Sequence, residues 1–229
     1  MKIAILGAMV EEITPLLSFF GNHHKVSYAG NDYYEAHYKG IDLVIAYSKI
    51  GKVNAALTAS ALLMHFGCEK LIFSGVAGAV SPELKIGDLV IASSLCQHDV
   101  DITAFGHPFG FIPESKHFIP SDERLNGVAK GVAQSKGIAL KEGIIATGDQ
   151  FIADSLKKEW IRKTFNADAL EMEGASVAVV CDTLGVPFCV LRAISDAADM
   201  EAGFSFDEFL VSSAKVSAEF VIGMLDRLA

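Results

Sequence analysis

Three acidic positions stand at the downstream ends of short apolar runs. Glu12, beside Glu11, follows Ile3–Met9; Glu173 lies in Ala169-Leu-Glu-Met-Glu-Gly174 with Glu171; Asp196 closes Leu191-Arg-Ala-Ile-Ser-Asp196. An unpaired charge is expensive to bury, so acids that end core segments call for a function. An open α/β sheet forms its ligand crevice outside the carboxyl ends of its strands. Carboxylates gathered there can move protons and accept hydrogen bonds from hydroxyl groups.

Each acid has a structural alternative. Asp196, preceded by Ser195, could donate a proton to a heterocyclic nitrogen or cap a helix starting at Ala197. Arg192 is unusual inside a buried strand and should pair with an acid or position a water. Glu173 suits two hydroxyl hydrogen bonds from a sugar, but Glu171, read as lying on the same strand face, competes for that role, and spacing alone does not separate them. Met172 and Phe151 could pack on a ribose face or a purine ring, or belong to the core. Ser74-Gly-Val-Ala-Gly78 follows the apolar run Lys70–Phe73. Its glycines permit either close backbone approach to a ligand or a plain tight turn, and match neither a dinucleotide fingerprint nor a P-loop. The histidines show no ligand-pair spacing, so no metal site is expected.

The elements that must position these residues are legible as alternation. Strand-like runs recur at Lys2–Leu6, Leu43–Tyr47, Lys70–Phe73, Asp88–Ala92, Glu142–Ala146, Ala167–Glu171 and Phe188–Ala193. They are short and not strictly alternating, as strands buried on both faces are. Helical patterns lie between them at Val53–Phe66, before Gly67, at Asp154–Phe165 behind an Asp cap, and at Gly174–Leu184, before Gly185 and Pro187. A last helix from about Phe206 to Leu228 is expected to open on Ser205-Phe-Asp-Glu208, a capping-box spacing. The expected fold is an α/β protein, a three-layer α/β/α sandwich with a mixed, largely parallel sheet, in one domain over 1–229. Gln97–Pro120, rich in Gly, Pro, His and Phe, is long for a passive connection and reads as a lid or contact surface.

Composition narrows the partners. The 229-residue chain is 51% hydrophobic and carries a net charge of −9, with no block of like charges. That disfavours nucleic acid and anionic membranes, whose phosphates attract Lys/Arg clusters. Cys68, Cys96, Cys181 and Cys189 lack Cys-x-x-Cys spacing and read as buried thiols of a reducing compartment, with a cytoplasmic location as the expectation. No apolar run has the length of a membrane span.

Taken together, Gly7-Ala-Met-Val-Glu-Glu12, Gly51-Lys52, Ser74-Gly-Val-Ala-Gly78, Asp99-Val-Asp-Ile-Thr-Ala-Phe105, Gly148-Asp-Gln-Phe151, Glu171-Met-Glu173 and Arg192-Ala-Ile-Ser-Asp196 resemble one family. It is the 5′-methylthioadenosine/S-adenosylhomocysteine nucleosidases of the nucleoside phosphorylase/hydrolase superfamily, and the likeness spans essentially the whole chain. The resemblance implies irreversible hydrolysis of the adenine–ribose bond without metal or organic cofactor. It implies that Glu12 activates the attacking water, which Arg192 helps to hold, and that Glu173 grips the ribose hydroxyls with Met172 against the sugar. Asp196, oriented by Ser195, would protonate adenine N7, while Phe151 stacks on the base and the Ile152 backbone pairs with its edge. The family is homodimeric; Ile102, Phe105 and Pro113 match positions reaching the neighbour's pocket for the 5′ substituent, which Met9 and Phe206 also line. Val76 departs from the Ser of many members, so an oxygen contact there is missing or replaced. Relatives sharing the Ser-Gly-Val-Ala-Gly run also accept aminodeoxyfutalosine, a menaquinone precursor.

The chemistry suits these residues. Adenine leaves readily once protonated, and a positioned proton donor contributes ~10²–10⁴-fold in rate. Acid on one side and water-activating base on the other is the logic of glycoside hydrolysis with nitrogen as the leaving atom. A phosphorylase would need arginines or amide nests for phosphate; Met1–Gly51 contains no arginine and Glu12 would repel the dianion. A non-catalytic nucleoside-binding module would not require all three acids, and a dinucleotide oxidoreductase would require the missing glycine fingerprint.

Overall fold

The computed structural model describes residues 1–199 and 201–229. Its centre is one twisted sheet. Strands β1 (Lys2–Gly7), β4 (Ile41–Tyr47), β5 (Lys70–Ala79) and β10 (Phe188–Asp196) run parallel, in the spatial order β4-β1-β5-β10. Every residue of β10 and all but the first of β5 are buried. Beyond β10 come β6 (Leu89–Gln97), antiparallel to it, then β8 (Leu140–Thr147) and β9 (Ala169–Glu171), each parallel to the last. The short β9 returns to pair antiparallel with the far end of β5. Strands β5, β10, β6, β8 and β9 therefore close on themselves, a barrel-like ring from which β1, β4, β3 (Asn31–Tyr38) and β2 (His24–Tyr28) extend as an open wing. The last strand, β7 (Ile119–Pro120), pairs with β6.

Helices cover both faces, giving the expected three layers. On one side α2 (Lys52–Ser60), continued by a π turn over Ala61–His65, and α5 (Gly174–Leu184) pack Ala55, Ala59, Ala175 and Ala178 against Phe73 and Val190. On the other, α1 (Val10–Phe20), α3 (Glu123–Lys136) and α6 (Ala202–Leu228) bury Ile13, Leu16, Val132, Val221 and Leu225 against Ile5, Ile72 and Leu191. A fully buried Leu or Ile side chain contributes about 1.5–3 kcal/mol, so these clusters hold the frame on which the loops at the strand ends are mounted. Helix α4 (Ser155–Phe165) seats Ile161 and Phe165 in a third cluster beside Cys96 and Leu170.

Several expectations change. Ser74–Gly78 is not a turn but the second half of β5. The capping box at Ser205 does not form: α6 starts at Ala202, and the Ser205 amide donates to the Glu201 carbonyl inside the helix. Asp199 makes the earlier start possible, since its side chain accepts from the Glu201 amide at 3.1 Å and its carbonyl from Ala202 at 3.0 Å. The Asp154 cap forms as expected, accepting from the Leu156 and Lys157 amides at 2.7 and 3.2 Å. Helices α1 and α3 and the β2–β3 hairpin are additions to the sequence reading. Among the described residues no helix is long and apolar enough to cross a membrane.

Candidate active site

One cavity of about 320 Å³ opens beyond the carboxyl ends of β1, β9 and β10 and alongside the second half of β5. Glu12, Glu173 and Asp196 all line it. Among its lining residues, drawn from the described chain, there is no Lys, Arg or His. Acids from three distant segments thus share one space and meet no cation across it.

Glu12 is the third residue of α1, close enough for its carboxylate to fold back over the helix start. Oε2 accepts from the Ala8 and Met9 amides at 2.5 and 3.0 Å, and Oε1 from the Val76 amide at 2.9 Å. The helix N-terminus and three amides favour negative charge. Burial outweighs both these amides and the nearby Arg192 guanidinium, which pull the other way, and raises the Glu12 carboxyl above its usual range. A proton acceptor held by fixed amides yet easier than usual to protonate suits a general base. The contact at Val76 comes from its backbone, so a hydroxyl side chain at this position is not needed to hold Glu12.

Asp196 ends β10 just after a shift in its register with β5. Ser195 Oγ donates to its Oδ2 at 2.9 Å and the Ala198 amide to Oδ1 at 2.8 Å. No helix starts at Ala197; Ala198 takes the left-handed region at φ 49°, turning the chain beneath the carboxylate. Burial raises the Asp196 carboxyl, against the pull of the Ala198 and Ser195 hydrogen bonds.

The glycines of the Ser74–Gly78 run acquire their reason here. A methyl group on Gly75 would overlap the Glu12 carboxylate, and one on Gly78 would stand 2.7 Å from Asp196 Oδ1. The strand is bare where two carboxylates press against it.

Glu171 and Glu173 separate cleanly. Strand β9 ends at Glu171, and Glu173 is the N-cap of α5, so the two do not share a strand face. Glu171 accepts from Arg192 Nη2 at 2.7 Å, from Thr147 Oγ1, and from the Glu173 and Gly174 amides at 3.2 and 2.6 Å. Arg192, 1% exposed, also donates to the Phe73 and Leu191 carbonyls and stacks 4.0 Å over the Phe73 ring. It therefore pairs from behind the wall with Glu171, which lines the cavity, and does not itself line it. Glu173 has no cation: its Oε1 accepts from the Gly51 amide at 2.8 Å, and burial beside Glu171 raises its carboxyl.

The remaining wall is mostly apolar, with Gln150 and Ser195 as its polar side chains. Met9, Val76 and Met172 flank the acids, Ser195 lies beneath Asp196, and Ile152 and Phe151 close one side. Phe151 is 49% exposed, and its ring meets Phe206 edge-on at 5.7 Å, making a lip to the opening. Ile50, unforeseen in the sequence because it stands in a polar loop after β4, lines the mouth as well. Ile102, Phe105 and Pro113 do not reach this cavity; Phe105 is 81% exposed in the 97–118 segment, which contains only a single 3₁₀ turn. Among the described residues no grouping of His, Cys, Asp or Glu could hold a metal ion. Cys68, Cys96, Cys181 and Cys189 are buried and unpaired.

Fold and cavity define an α/β protein with uncompensated acids lining a small, partly apolar cavity at its strand ends. The chain belongs to the phosphorylase superfamily, whose family model matches residues 2–226. It is 59% identical over 228 residues to the aminodeoxyfutalosine nucleosidase of Campylobacter jejuni, covering 100% of both chains. It is 43% identical to the 5′-methylthioadenosine/S-adenosylhomocysteine nucleosidase of Actinobacillus succinogenes, again covering 100% of both. Among solved structures, it superposes with a TM-score of 0.98 on the Helicobacter pylori 5′-methylthioadenosine/S-adenosylhomocysteine nucleosidase bound to butyl-thio-DADMe-Immucillin-A. That protein is 53% identical, and the match covers 99% of this chain and 98% of that one.

Proposed function

We propose that this chain hydrolyses the N-glycosidic bond of 5′-substituted adenine nucleosides, taking aminodeoxyfutalosine as well as 5′-methylthioadenosine and S-adenosylhomocysteine. One observation carries the reading: three buried carboxylates with no cation partner face a single cavity of nucleoside size. The kinship with nucleosidases of both names supports the choice of substrates.

In this mechanism Asp196, made easier than usual to protonate by burial and oriented by Ser195, protonates adenine N7 as the C–N bond lengthens. Phe151 stacks on the base and the Ile152 backbone pairs with its edge. Glu12 takes a proton from the attacking water, and its charge favours the cationic sugar on the same face. Glu173 accepts from the ribose hydroxyls, a contact that strengthens as positive charge grows on the ring, with Met172 against the sugar. Arg192 acts on the water side from behind the wall, by lowering the proton affinity of Glu12. The steps require no metal or organic cofactor.

The 5′ substituent projects past Met9, Val76 and Phe206 to the mouth. There we place the second subunit of a homodimer, with its Ile102, Phe105 and Pro113 completing the pocket. Val53, Leu57 and Met64 support this: they stand 79, 56 and 73% exposed along one edge of α2 and the turn after it, close in sequence to Ile50 at the mouth. Buried, unpaired thiols suit work in a reducing cytoplasm, by one domain spanning the chain.

The test is a panel of these nucleosides in phosphate-free buffer, following adenine release and the sugar product. Free pentose product without added phosphate is expected. Adenine release that depends on phosphate and yields a sugar 1-phosphate would overturn hydrolysis; a cavity without Lys or Arg argues against that outcome.

A further inference from the structure

A closed circuit of hydrogen bonds lies beside the cavity and is not needed by any step above. The Lys52 amide donates to Asp149 Oδ1 at 2.8 Å, the Asp149 amide donates to Asp99 Oδ2 at 2.9 Å, and Asp99 Oδ1 accepts from Lys52 Nζ at 2.7 Å. Lys52 Nζ also reaches Gln97 Oε1 at 3.1 Å. Three loops distant in sequence are joined by it: the β4–α2 turn, the start of the 97–118 segment, and the Gly148–Ile152 loop.

The circuit is built rather than incidental. The Lys52 and Asp99 side chains are only 17 and 11% exposed, unlike most of the ion pairs in this chain. Burial alone would raise the Asp99 carboxyl, but Lys52 and the Asp149 amide outweigh it and hold it below its usual range. Gly51 sits at φ 99°, and a methyl group there would come within 3.1 Å of Asp149 Oδ1. The same Gly51 donates its amide to Glu173. The residue that orients the sugar-facing carboxylate is therefore the immediate neighbour of the residue that clamps the loop bearing Phe151.

We propose that the Lys52–Asp99–Asp149 circuit is a positioning device that fixes the sugar-binding carboxylate Glu173 and the base-binding loop Gly148–Ile152 at one mutual distance, so that the site recognises an intact nucleoside rather than its two halves. Lys52, Asp99 and Asp149 act through Gly51 and Phe151 and do not touch the substrate. The device rests on the functional reading above, since it assumes that base and sugar occupy these two places.

It predicts a split between ligands. Adenine fills only the base side and tolerates a small shift of the loop relative to Glu173. A C-nucleoside analogue of adenosine, which cannot be hydrolysed, must satisfy both sides at once, so a shifted loop costs it the charge-assisted contact to Glu173. The experiment is calorimetric titration of wild type and Asp99→Asn with adenine and with that analogue. Asp99→Asn should weaken the analogue by roughly 10- to 100-fold, the worth of one such contact, while adenine affinity stays within about threefold. Lys52→Arg, which keeps the cation, should restore much of the analogue affinity that Lys52→Met loses. Equal losses for both ligands, or none, overturn the device while leaving nucleoside binding in place. A wild-type protein that binds neither ligand overturns the functional reading instead. If Asp99→Asn does not fold, Lys52→Met/Asp99→Asn leaves no uncompensated cation and must show the same split.

Discussion

Two parts of the cavity wall both hold buried acids, and they treat them in opposite ways. Where the wall backs onto Arg192, Glu171 accepts from that guanidinium, from Thr147 and from two amides, a buried ion pair. Elsewhere on the wall, Glu12, Glu173 and Asp196 are held by amides and a hydroxyl, without a cation in hydrogen-bond contact, and burial raises all three carboxyls. A buried acid with its counter-charge is part of the frame. A buried acid without one holds or takes a proton more readily than usual, which is what acid–base chemistry at neutral pH requires.

The sharpest way to break this contrast is Asp196→Asn. Turnover should fall by roughly two to four orders of magnitude, measured as adenine release. Stability should not fall with it. A carboxyl whose folded proton affinity is raised stabilises fully only below its unfolded value, and the benefit is lost as pH rises through the folded value. Neutral pH is well above the ordinary carboxyl value, so the wild type has already given up part of that benefit, whereas Asn never titrates; the variant's Tm should equal or exceed the wild type's. Near-normal adenine release would remove Asp196 from the role of acid.

Glu171→Gln tests the paired acid. It leaves the Arg192 guanidinium buried without its counter-charge, an arrangement that costs about 3–5 kcal/mol, and thermal unfolding should shift down accordingly. Glu173→Gln should do the reverse to the fold, holding or raising Tm near neutrality by the same sign argument. It should lose roughly 10- to 100-fold in kcat/KM for one charge-assisted hydroxyl contact. If both glutamine variants destabilised alike, the distinction between frame acid and working acid would fail.

How much of this was legible beforehand follows from what each feature depends on. The acids at strand ends, the strand–helix alternation and the Asp154 cap depend on neighbours in sequence, and the expectations for them agree with the structure. Gly75 and Gly78 read as turn residues because their actual reason, the carboxylates of Glu12 and Asp196, arrives from remote segments. Glu171 and Glu173 could not be told apart because the spacing assumed a continuing strand, whereas β9 stops between them and α5 begins. The Ser205 pattern was locally valid, but Asp199 and the fully buried Ala202 start the helix earlier. Helix α1 was obscured by Pro15 and its acidic first turn, and the β2–β3 wing by its mostly half-exposed strands.

His98 sharpens the comparison from a third direction, with the smallest effect. Its side chain is 1% exposed, it packs against Gly148, and among the described residues neither ring nitrogen has a hydrogen-bond partner. Burial drives its proton affinity down to about 4, with Asp99 pulling the other way. It is a titratable group with neither a counter-charge in contact, as Glu171 has, nor a cavity to face, so it stays neutral. The sign is opposite to that of the cavity acids. The unfolded chain protonates this histidine near its ordinary value while the folded chain does not, so stability is complete above that value and declines as pH falls toward about 4. At pH ~5 the cost should approach about 2 kcal/mol. His98→Phe keeps a ring of similar size against Gly148 and gives up no protein hydrogen bond. Its Tm should therefore fall less than the wild type's between pH ~7 and ~5, and parallel Tm–pH curves for the two proteins would show that the histidine finds a proton partner after all.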